Sequence, residues 1–306
     1  IVPGFSFTTA RQAMAVSPGG DSLFIVSSFG QIHTKLGNST PVVANSKQSI
    51  ETFASDIYVS PSGQFIMTVN SYDQLRAKNI NRSTDGGLTW ISDRIIPSST
   101  EYLTSIAMVD SLNGFVTGSN SALFKTTDGG NNWGLVVTTG LPVGAKFDDV
   151  DFTSLTTGWL FAEQSGTTPG TVFKTTNGGS TWFNQPLGVQ GVEPTATAAD
   201  MVDSLRGWFT AGTQGIFSTT NGGNTWKKDS LAVNAPTAFY SIKMLNSQTG
   251  YALSISGQIL KTSNAGLLWD TLATNQALSS HIYNTIELLN ENTIVIFGEN
   301  GYYNLS

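Results

Sequence analysis

The stretch Thr126-Thr-Asp-Gly-Gly-Asn-Asn-Trp133 decides the fold, because its pattern occurs five times without a gap. The five tryptophans are separated by 43, 49, 44 and 43 residues. A period of roughly 40–50 residues is that of one four-stranded blade of a β-propeller. We call this octapeptide the box, and its copies span residues 83–90, 126–133, 175–182, 219–226 and 262–269.

A second turn sequence precedes each of the last four boxes, as in Asp110-Ser-Leu-Asn-Gly114. Its glycine lies 19, 24, 19 and 19 residues before the box tryptophan. In this copy the turn separates the apolar runs 105–109 and 115–118, which predicts a hairpin between a first and a second strand. A third strand leads into the box and a fourth follows it, so each repeat supplies four strands.

The repeats predict an all-β fold, a seven-bladed β-propeller of four-stranded antiparallel blades in a single domain, 1–306. Residues 33–40 fit a degenerate first box, and residues 301–306 align with 257–262, so the chain ends inside a seventh repeat. A strand at residues 2–7 is predicted to complete that last blade, which would pair an otherwise open edge. Counts of six or eight blades remain alternatives. The predicted blades span approximately 10–46, 50–97, 102–140, 145–187, 196–233, 238–274 and 280–306 together with 1–8.

The composition restricts the class of partner. Charged residues make up 12% of the chain, against about 25% in an average globular protein. A net charge of −6 and a pI near 4.8 argue against nucleic acid and anionic membranes, both of which require clustered cations. No apolar run approaches the ~18 residues of a membrane-spanning helix, so no membrane insertion is predicted.

The cellular location is predicted from the surface composition and the first residue. The chain has no cysteine, which excludes disulfides and thiolate metal sites and leaves the redox compartment open. It begins with Ile1 rather than methionine, which together with the low charge and the hydroxyl-rich composition favours a cleaved export signal, although a trimmed chain would look identical. We therefore expect an exported bacterial protein, periplasmic, secreted or at the cell surface. It is expected to act as a monomer or as a module of a longer chain.

The residue types that recur in the five boxes have a structural explanation. An Asp or Asn at its third position is expected to cap the hairpin by accepting backbone amide hydrogen bonds. The glycine at its fifth position permits a positive φ, and the tryptophan is a large wedge between blades. The third-position residues, for which we predict no ligand-binding role, are Asp85, Asp128, Asn177, Asn221 and Asn264.

The box pattern resembles the Asp-box, or BNR, repeat of sialidases, sortilin-type receptors and some glycoside hydrolases. Together with the preceding Gly-Trp hairpin, it is more similar to the photosystem II stability/assembly factor family, over nearly the whole chain. The resemblance implies a propeller whose boxes lie away from the ligand face. It also implies a basic, arginine-lined patch, from which this chain departs with five arginines and a net negative charge. What remains is a binding or scaffold protein for a protein or glycan partner.

The ligand face is predicted at the opposite ends of the strands, where the second and third strands and successive blades are joined. Two loops there, 70–78 and 163–170, are unusually long, and insertions in repeats commonly lie on the binding face. Ordinary solvated loops are the alternative. Tyr102 and Tyr240 are further candidate contacts. The predicted binding patch consists of Tyr72, Asp73, Arg76, Asp148, Asp149 and Glu163.

Catalysis is the second hypothesis, as a glycoside hydrolase or polysaccharide lyase. Such enzymes use two carboxylates ~5–10 Å apart, which Asp148 or Asp149 with Asp73 or Glu163 would supply. A sialidase is disfavoured, because the Arg-Ile-Pro signature is missing and only five arginines exist. The two histidines lie far apart in the sequence with no catalytic motif, so no catalytic residue, metal site or cofactor is predicted.

Overall fold

A computed structural model gives the fold of fourteen segments of the chain. They are residues 13–16, 22–26, 32–36, 42–43, 54–70, 79–94, 102–163, 172–187, 196–232, 234–236, 238–272, 283–290, 293–298 and 301–305. The chain forms two compact units. The first unit comprises Ile1–Ser119, Leu123–Leu135 and Glu287–Ser306, and the second comprises Asn120–Ala122 and Val136–Ile286.

The first unit contains three four-stranded antiparallel sheets whose strands follow one another in chain order. The second strands of sheets 2 and 3, Ile66–Asn70 and Gly114–Gly118, are buried along their whole length, so their sequences do not alternate between apolar and polar residues. The strands are β1 (Ala13–Val16), β2 (Ser22–Val26), β3 (Ile32–Leu36) and β4 (Val42–Val43) in sheet 1, β5 (Ala54–Val59), β6 (Ile66–Asn70), β7 (Asn79–Ser83) and β8 (Ile91–Arg94) in sheet 2, and β9 (Leu103–Met108), β10 (Gly114–Gly118), β11 (Leu123–Thr126) and β12 (Gly134–Leu135) in sheet 3.

The second unit repeats this architecture in three further sheets. A short 3-10 turn, Gly212–Gln214, joins two strands of sheet 5. Within the described residues, no helix is long and apolar enough to cross a membrane. The strands are β13 (Lys146–Phe152), β14 (Gly158–Glu163), β15 (Val172–Thr175) and β16 (Phe183–Asn184) in sheet 4, β17 (Ala198–Met201), β18 (Gly207–Thr210), β19 (Ile216–Thr219) and β20 (Lys227–Lys228) in sheet 5, and β21 (Phe239–Met244), β22 (Gly250–Ser254), β23 (Ile259–Thr262) and β24 (Asp270–Thr271) in sheet 6.

Sheet 7 has three strands among the described residues, β25 (Tyr283–Asn290), β26 (Thr293–Gly298) and β27 (Gly301–Leu305). The strand predicted at residues 2–7 lies outside the described residues. The seven sheets of the described residues fit the seven predicted blades.

The second turn sequence forms the predicted hairpin between the first two strands of a sheet. Gly114 pairs with Met108, and a Cβ on Gly114 would lie 2.1 Å from the Met108 sulfur. Gly207 pairs with Met201, and a Cβ on Gly207 would lie 2.0 Å from the Met201 sulfur. The glycine of this motif is therefore required because a large first-strand side chain covers it.

Each box closes the turn between the third and fourth strands with the same three hydrogen bonds. In sheet 3, the Thr126 hydroxyl donates to Asp128 Oδ1 (2.9 Å) and accepts from the Gly130 amide (2.9 Å). The Asn132 amide donates to the same Asp128 oxygen (2.9 Å). The other four boxes contain the equivalent bonds, which confirms the predicted capping role of the third position.

The box of sheet 6 contains an alanine where the other four have glycine. Ala265 has a φ of +60°, close to the +68° of its counterpart Gly222. A left-handed conformation costs a residue with a Cβ roughly 1–2 kcal/mol. We therefore expect Ala265→Gly to raise the free energy of unfolding in urea by about 1 kcal/mol. Gly222→Ala is the control and should lower it; equal values for Ala265→Gly and wild type would show that the turn relaxes around the methyl group.

The tryptophan of the box is an inter-sheet wedge, as predicted. Trp226 of sheet 5 packs edge-on against Phe209 of its own sheet, with ring centroids 5.1 Å apart, and against Phe161 of sheet 4 at 6.2 Å. Phe209 also stacks on Phe217 at 5.1 Å. These buried rings belong to one apolar cluster that joins sheets 4 and 5.

Candidate functional site

The turns at the two ends of the strands make different contacts. At one end, which we call the box edge, backbone hydrogen bonds join the first hairpin to the box: the Gly129 amide donates to Leu112 O (2.9 Å) and the Gly222 amide donates to Leu205 O (2.7 Å). The opposite edge, the loop edge, carries the turns between second and third strands and the links between sheets. These turns bond to the start of a first strand, as where the Ile255 amide donates to Ala238 O (3.0 Å).

Carboxylates on the first strands connect three of the sheets to the next one along the chain. In the second unit, where β13, β17 and β21 lie side by side, Asp151 Oδ2 accepts from the Met201 amide (2.7 Å), and Asp200 Oδ2 accepts from Met244 (2.6 Å). In the first unit Asp56 Oδ2 accepts from the Ile106 amide (2.9 Å). We call each such carboxylate–amide bond between neighbouring first strands a clasp.

Asp149, a predicted binding residue, is also a clasp. Its Oδ1 accepts from the Val150 amide (2.9 Å) and its Oδ2 from the Ala199 amide of sheet 5 (2.8 Å). This role was not predicted. The recurrence of an acid at the same repeat position was the available signal, because Asp149 in sheet 4 corresponds to Asp56 in sheet 2, which forms the same bond.

Asp148 has a different environment from Asp149. It is the extra residue of a β-bulge, since the register between β13 and β14 shifts between Phe147 and Asp149. Its Oδ1 lies 2.6 Å from Lys146 Nζ, and the two side chains are 16% and 20% exposed. This ion pair lies at the loop edge of sheet 4.

The position of Asp148 carries a linking hydroxyl in other sheets. Ser55 of sheet 2 donates to Leu103 O of sheet 3 (3.0 Å), and Thr197 of sheet 5 donates to Phe239 O of sheet 6 (3.0 Å). An ionised carboxylate has no proton to donate. Asp148 therefore cannot donate the hydrogen bond that Ser55 and Thr197 donate, and its carboxylate pairs with Lys146.

Tyr240 occupies the same repeat position in sheet 6. It too is at a register shift, between Phe239 and Ser241, and its side chain is 38% exposed. Three consecutive first strands of the second unit therefore present an acid, a hydroxyl and an aromatic ring at the loop edge. We call Asp148, Thr197 and Tyr240 the loop-edge row.

The structure brings together part of the predicted binding patch. Asp148 and Asp149 lie on β13, and Glu163 ends the adjacent strand β14, where it pairs in register with Lys146. Only the backbone of Glu163 is described. Tyr72, Asp73 and Arg76 lie outside the described residues. Across the described residues, no three His, Asp or Glu side chains are grouped as metal ligands.

One clasp residue, Asp151, has a carboxyl pKa well above its ordinary value. Burial and the nearby negative charge of Asp200 raise the pKa of Asp151 to about 7, whereas the Met201 amide and the positive charge of Lys243 oppose the rise. Asp151 therefore binds a proton near neutral pH while it still accepts the bond from Met201.

The two adjacent acids should respond differently to substitution. Asp149→Ala leaves the Ala199 amide without its acceptor, which we expect to lower the free energy of unfolding by about 1–3 kcal/mol. Asp148→Asn keeps an oxygen that Lys146 can bind, so it should lower the free energy of unfolding by less, about 1 kcal/mol or below. Urea unfolding monitored by tryptophan fluorescence measures both; a loss at Asp148 as large as at Asp149 would contradict the assignment of only Asp149 to the clasp.

Comparisons with known proteins agree with this architecture. The sequence model of one family, described as photosynthesis system II assembly factor YCF48, matches residues 96–187 and 190–263. No curated protein matches the sequence significantly. Among solved structures, YCF48 from Cyanidioschyzon merolae is 14% identical, with a TM-score of 0.73 over 99% of this chain and 97% of that one.

Two further structures show the same fold with different functions in their descriptions. YCF48 bound to a D1 peptide is 12% identical, with a TM-score of 0.68 over 99% of this chain and 92% of that one. The Niastella koreensis GH74 enzyme is 15% identical, with a TM-score of 0.78 over 98% of this chain and 53% of that one. These likenesses confirm the predicted β-propeller of antiparallel four-stranded sheets, which fits seven blades.

Proposed function

Because this chain belongs to the family of the photosynthesis system II assembly factor YCF48, we propose that it is a non-catalytic propeller that binds a segment of a partner protein. A structural relative in that family holds a D1 peptide. The proposal transfers the class of ligand, a peptide segment, and leaves the identity of the partner open.

The loop-edge row carries this proposal. At this position Ser55 and Thr197 donate a hydrogen bond to the neighbouring sheet, whereas Asp148 pairs with Lys146 and Tyr240 is 38% exposed at the loop edge. Tyrosine is enriched in protein interfaces because it combines a large apolar ring with a hydroxyl group. An acid and a half-exposed ring at the same edge suit a peptide with one cationic and one apolar side chain.

The clasps weaken the enzymatic alternative. A glycoside hydrolase needs two carboxyl groups that face the scissile bond. In the described first strands, Asp56, Asp149, Asp151 and Asp200 bind backbone amides of the next sheet. These acids are therefore occupied in joining sheets. The similarity to the GH74 enzyme keeps hydrolysis as the second candidate.

The experiment is a binding titration with a defined probe. A phage-displayed library of random dodecapeptides is panned on the folded chain, and the enriched peptide and a D1 peptide are then titrated by fluorescence anisotropy. The variant Asp148→Asn/Tyr240→Ala should weaken binding of the enriched peptide at least about tenfold. Leu205→Ala, an exposed residue of the box edge, is the matched control and should bind like wild type.

Three other outcomes would contradict the peptide-binding proposal. If no peptide is enriched, or if the double variant binds like wild type, the loop-edge row does not bind a peptide. Release of reducing ends from a polysaccharide panel, abolished by Asp148→Asn or Glu163→Gln, would replace the proposal with the hydrolase function. A glycan-binding signal without turnover would support the glycan partner instead.

We further infer that the protein acts outside the cytoplasm. The low charged fraction, 12%, and the hydroxyl-rich composition support this proposal. Cell fractionation with an antibody to the chain tests it, and recovery in the cytoplasmic fraction alone would contradict it.

A further inference from the structure

A buried carboxyl group lies between sheet 5 and the box of sheet 6. Asp229, directly after β20, is 5% exposed. It accepts hydrogen bonds from the Ser218 hydroxyl and from Trp269 Nε1, the latter at 3.1 Å. Trp269 is the box tryptophan of sheet 6, so this acid sits at the joint between two sheets.

The equivalent joint between sheets 4 and 5 is built with different charges. Gln185 follows Trp182 by three residues, as Asp229 follows Trp226. The backbone amide of each donates to a carbonyl oxygen of the third strand of its sheet, Val172 O and Ile216 O respectively, at 2.9 Å. Across from the hairpin aromatic, sheet 4 has Lys174 where sheet 5 has Ser218. One joint thus contains a neutral side-chain amide and a lysine that donates to Gly222 O, and the other contains an acid and no lysine at that position.

The backbone of the next box closes tightly over Asp229. A Cβ on Gly266 would lie 2.1 Å from Asp229 Oδ2. The neighbouring Trp208 Nε1 is buried and has no hydrogen-bond partner among the described atoms. Lys227, on the exposed strand β20, is a positively charged group that lowers the pKa of Asp229 without forming an ion pair with it. The carboxyl group is therefore poorly solvated, and within the described part of the chain it has no close counter-ion.

The proton affinity of Asp229 follows from this environment. Burial raises its pKa to about 6, and the bonds from Ser218 and Trp269 and the charge of Lys227 oppose the rise. A carboxyl pKa that is higher in the folded state than in the unfolded state stabilises the fold at low pH. That stabilisation is complete below the unfolded pKa of about 4 and is lost as the pH rises through about 6.

The acid is adjacent to the backbone bridge that joins the two sheets. The Trp269 amide donates to Ser230 O, and the Ala232 amide donates to Trp269 O, both at 2.9 Å. Asp229 thus binds the side chain of the residue whose backbone forms the bridge. The burial that penalises ionised Asp229 therefore depends on the same closed joint that the bridge holds together.

We propose that the joint between sheets 5 and 6 is a proton-dependent latch, closed when Asp229 carries a proton and loosened when it is ionised. The latch is a conformational device in the second unit and is independent of the peptide-binding function proposed above. It predicts local opening at Trp269 and Ala232 without unfolding of the neighbouring joint, where Gln185 is not ionisable.

Hydrogen exchange measured across pH tests the latch. Mass spectrometry follows peptides covering residues 229–232 and 263–271 at pH 5 to 8, with exchange times scaled for the base-catalysed rate. In wild type we expect the protection of the Trp269 and Ala232 amides to fall about tenfold or more as the pH passes 6. Asp229→Asn retains an oxygen acceptor and should abolish this dependence.

A second variant keeps the acid and supplies a counter-ion. Ser218→Lys places at sheet 5 the lysine that sheet 4 has, so the transition should move to lower pH. Asp151→Asn removes the other buried acid that titrates near neutrality and should leave the local transition in place. pH-independent protection in wild type, a transition retained in Asp229→Asn, or no shift in Ser218→Lys would each overturn the latch. If Asp229→Asn fails to fold, the wild-type profile and Ser218→Lys decide.

Discussion

Trp226→Ala is expected to lower the free energy of unfolding by about 3–5 kcal/mol, the range for truncation of a buried tryptophan. The ring is 2% exposed and lies between Phe209 of its own sheet and Phe161 of the preceding one. Its removal leaves a cavity bordered by aromatic rings that cannot all close in. Urea unfolding followed by far-ultraviolet circular dichroism measures the loss without relying on tryptophan emission.

Trp133 provides the matched comparison, because it occupies the same position of its box but is only half-buried. Trp133→Ala should cost clearly less than Trp226→Ala, and Trp226→Phe should recover part of the loss. Equal costs for the two alanine variants would show that the tryptophan acts through the turn itself and not through packing between sheets.

Gly140→Ala is expected to cost about 3 kcal/mol, from two separate sources. Gly140 has a φ of +88°, which a residue with a Cβ adopts at a cost of about 1–2 kcal/mol. The new Cβ would also lie 2.0 Å from the carbonyl oxygen of Trp182. That backbone cannot withdraw freely, because the Trp182 amide donates to Thr139 O at 2.9 Å and the Trp182 side chain is buried.

Gly144 separates the two sources of cost. It lies in the same link between sheets with a φ of +77°, but a Cβ there would meet no atom within 4 Å. Gly144→Ala should therefore cost only the conformational part, about 1 kcal/mol. Thermal and urea unfolding of the two variants give the difference. Similar values for both would mean that the Trp182 backbone moves aside and that the close approach is not a constraint.

The sequence was sufficient for the features that repeat. Five boxes and four glycine turns specify hairpins with fixed partners, because a box glycine with positive φ and an Asp or Asn acceptor are local requirements. The capping by Asp128 and the wedge role of Trp226 were therefore predictable from one sequence. The resemblance of those motifs also led to the correct family.

The site was less predictable because its residues are defined by exceptions to the repeat. Asp148 and Asp149 are adjacent in sequence and identical in chemistry, yet a bulge directs one to a lysine and the other to the amide of the next sheet. No local pattern distinguishes them. Asp229 was missed for a related reason, since its importance depends on Ser218 and Trp269, which are 11 and 40 residues away.

The clasps have a direction. Asp56 of sheet 2 reaches an amide of sheet 3, Asp149 of sheet 4 reaches sheet 5, and Asp200 of sheet 5 reaches sheet 6. Each of these three repeats thus offers an acceptor to its successor, always in the same direction along the chain, as monomers do in a head-to-tail polymer. Duplication of one whole repeat in the gene would copy both halves of the joint together, so such an array can lengthen or shorten without inventing new contacts.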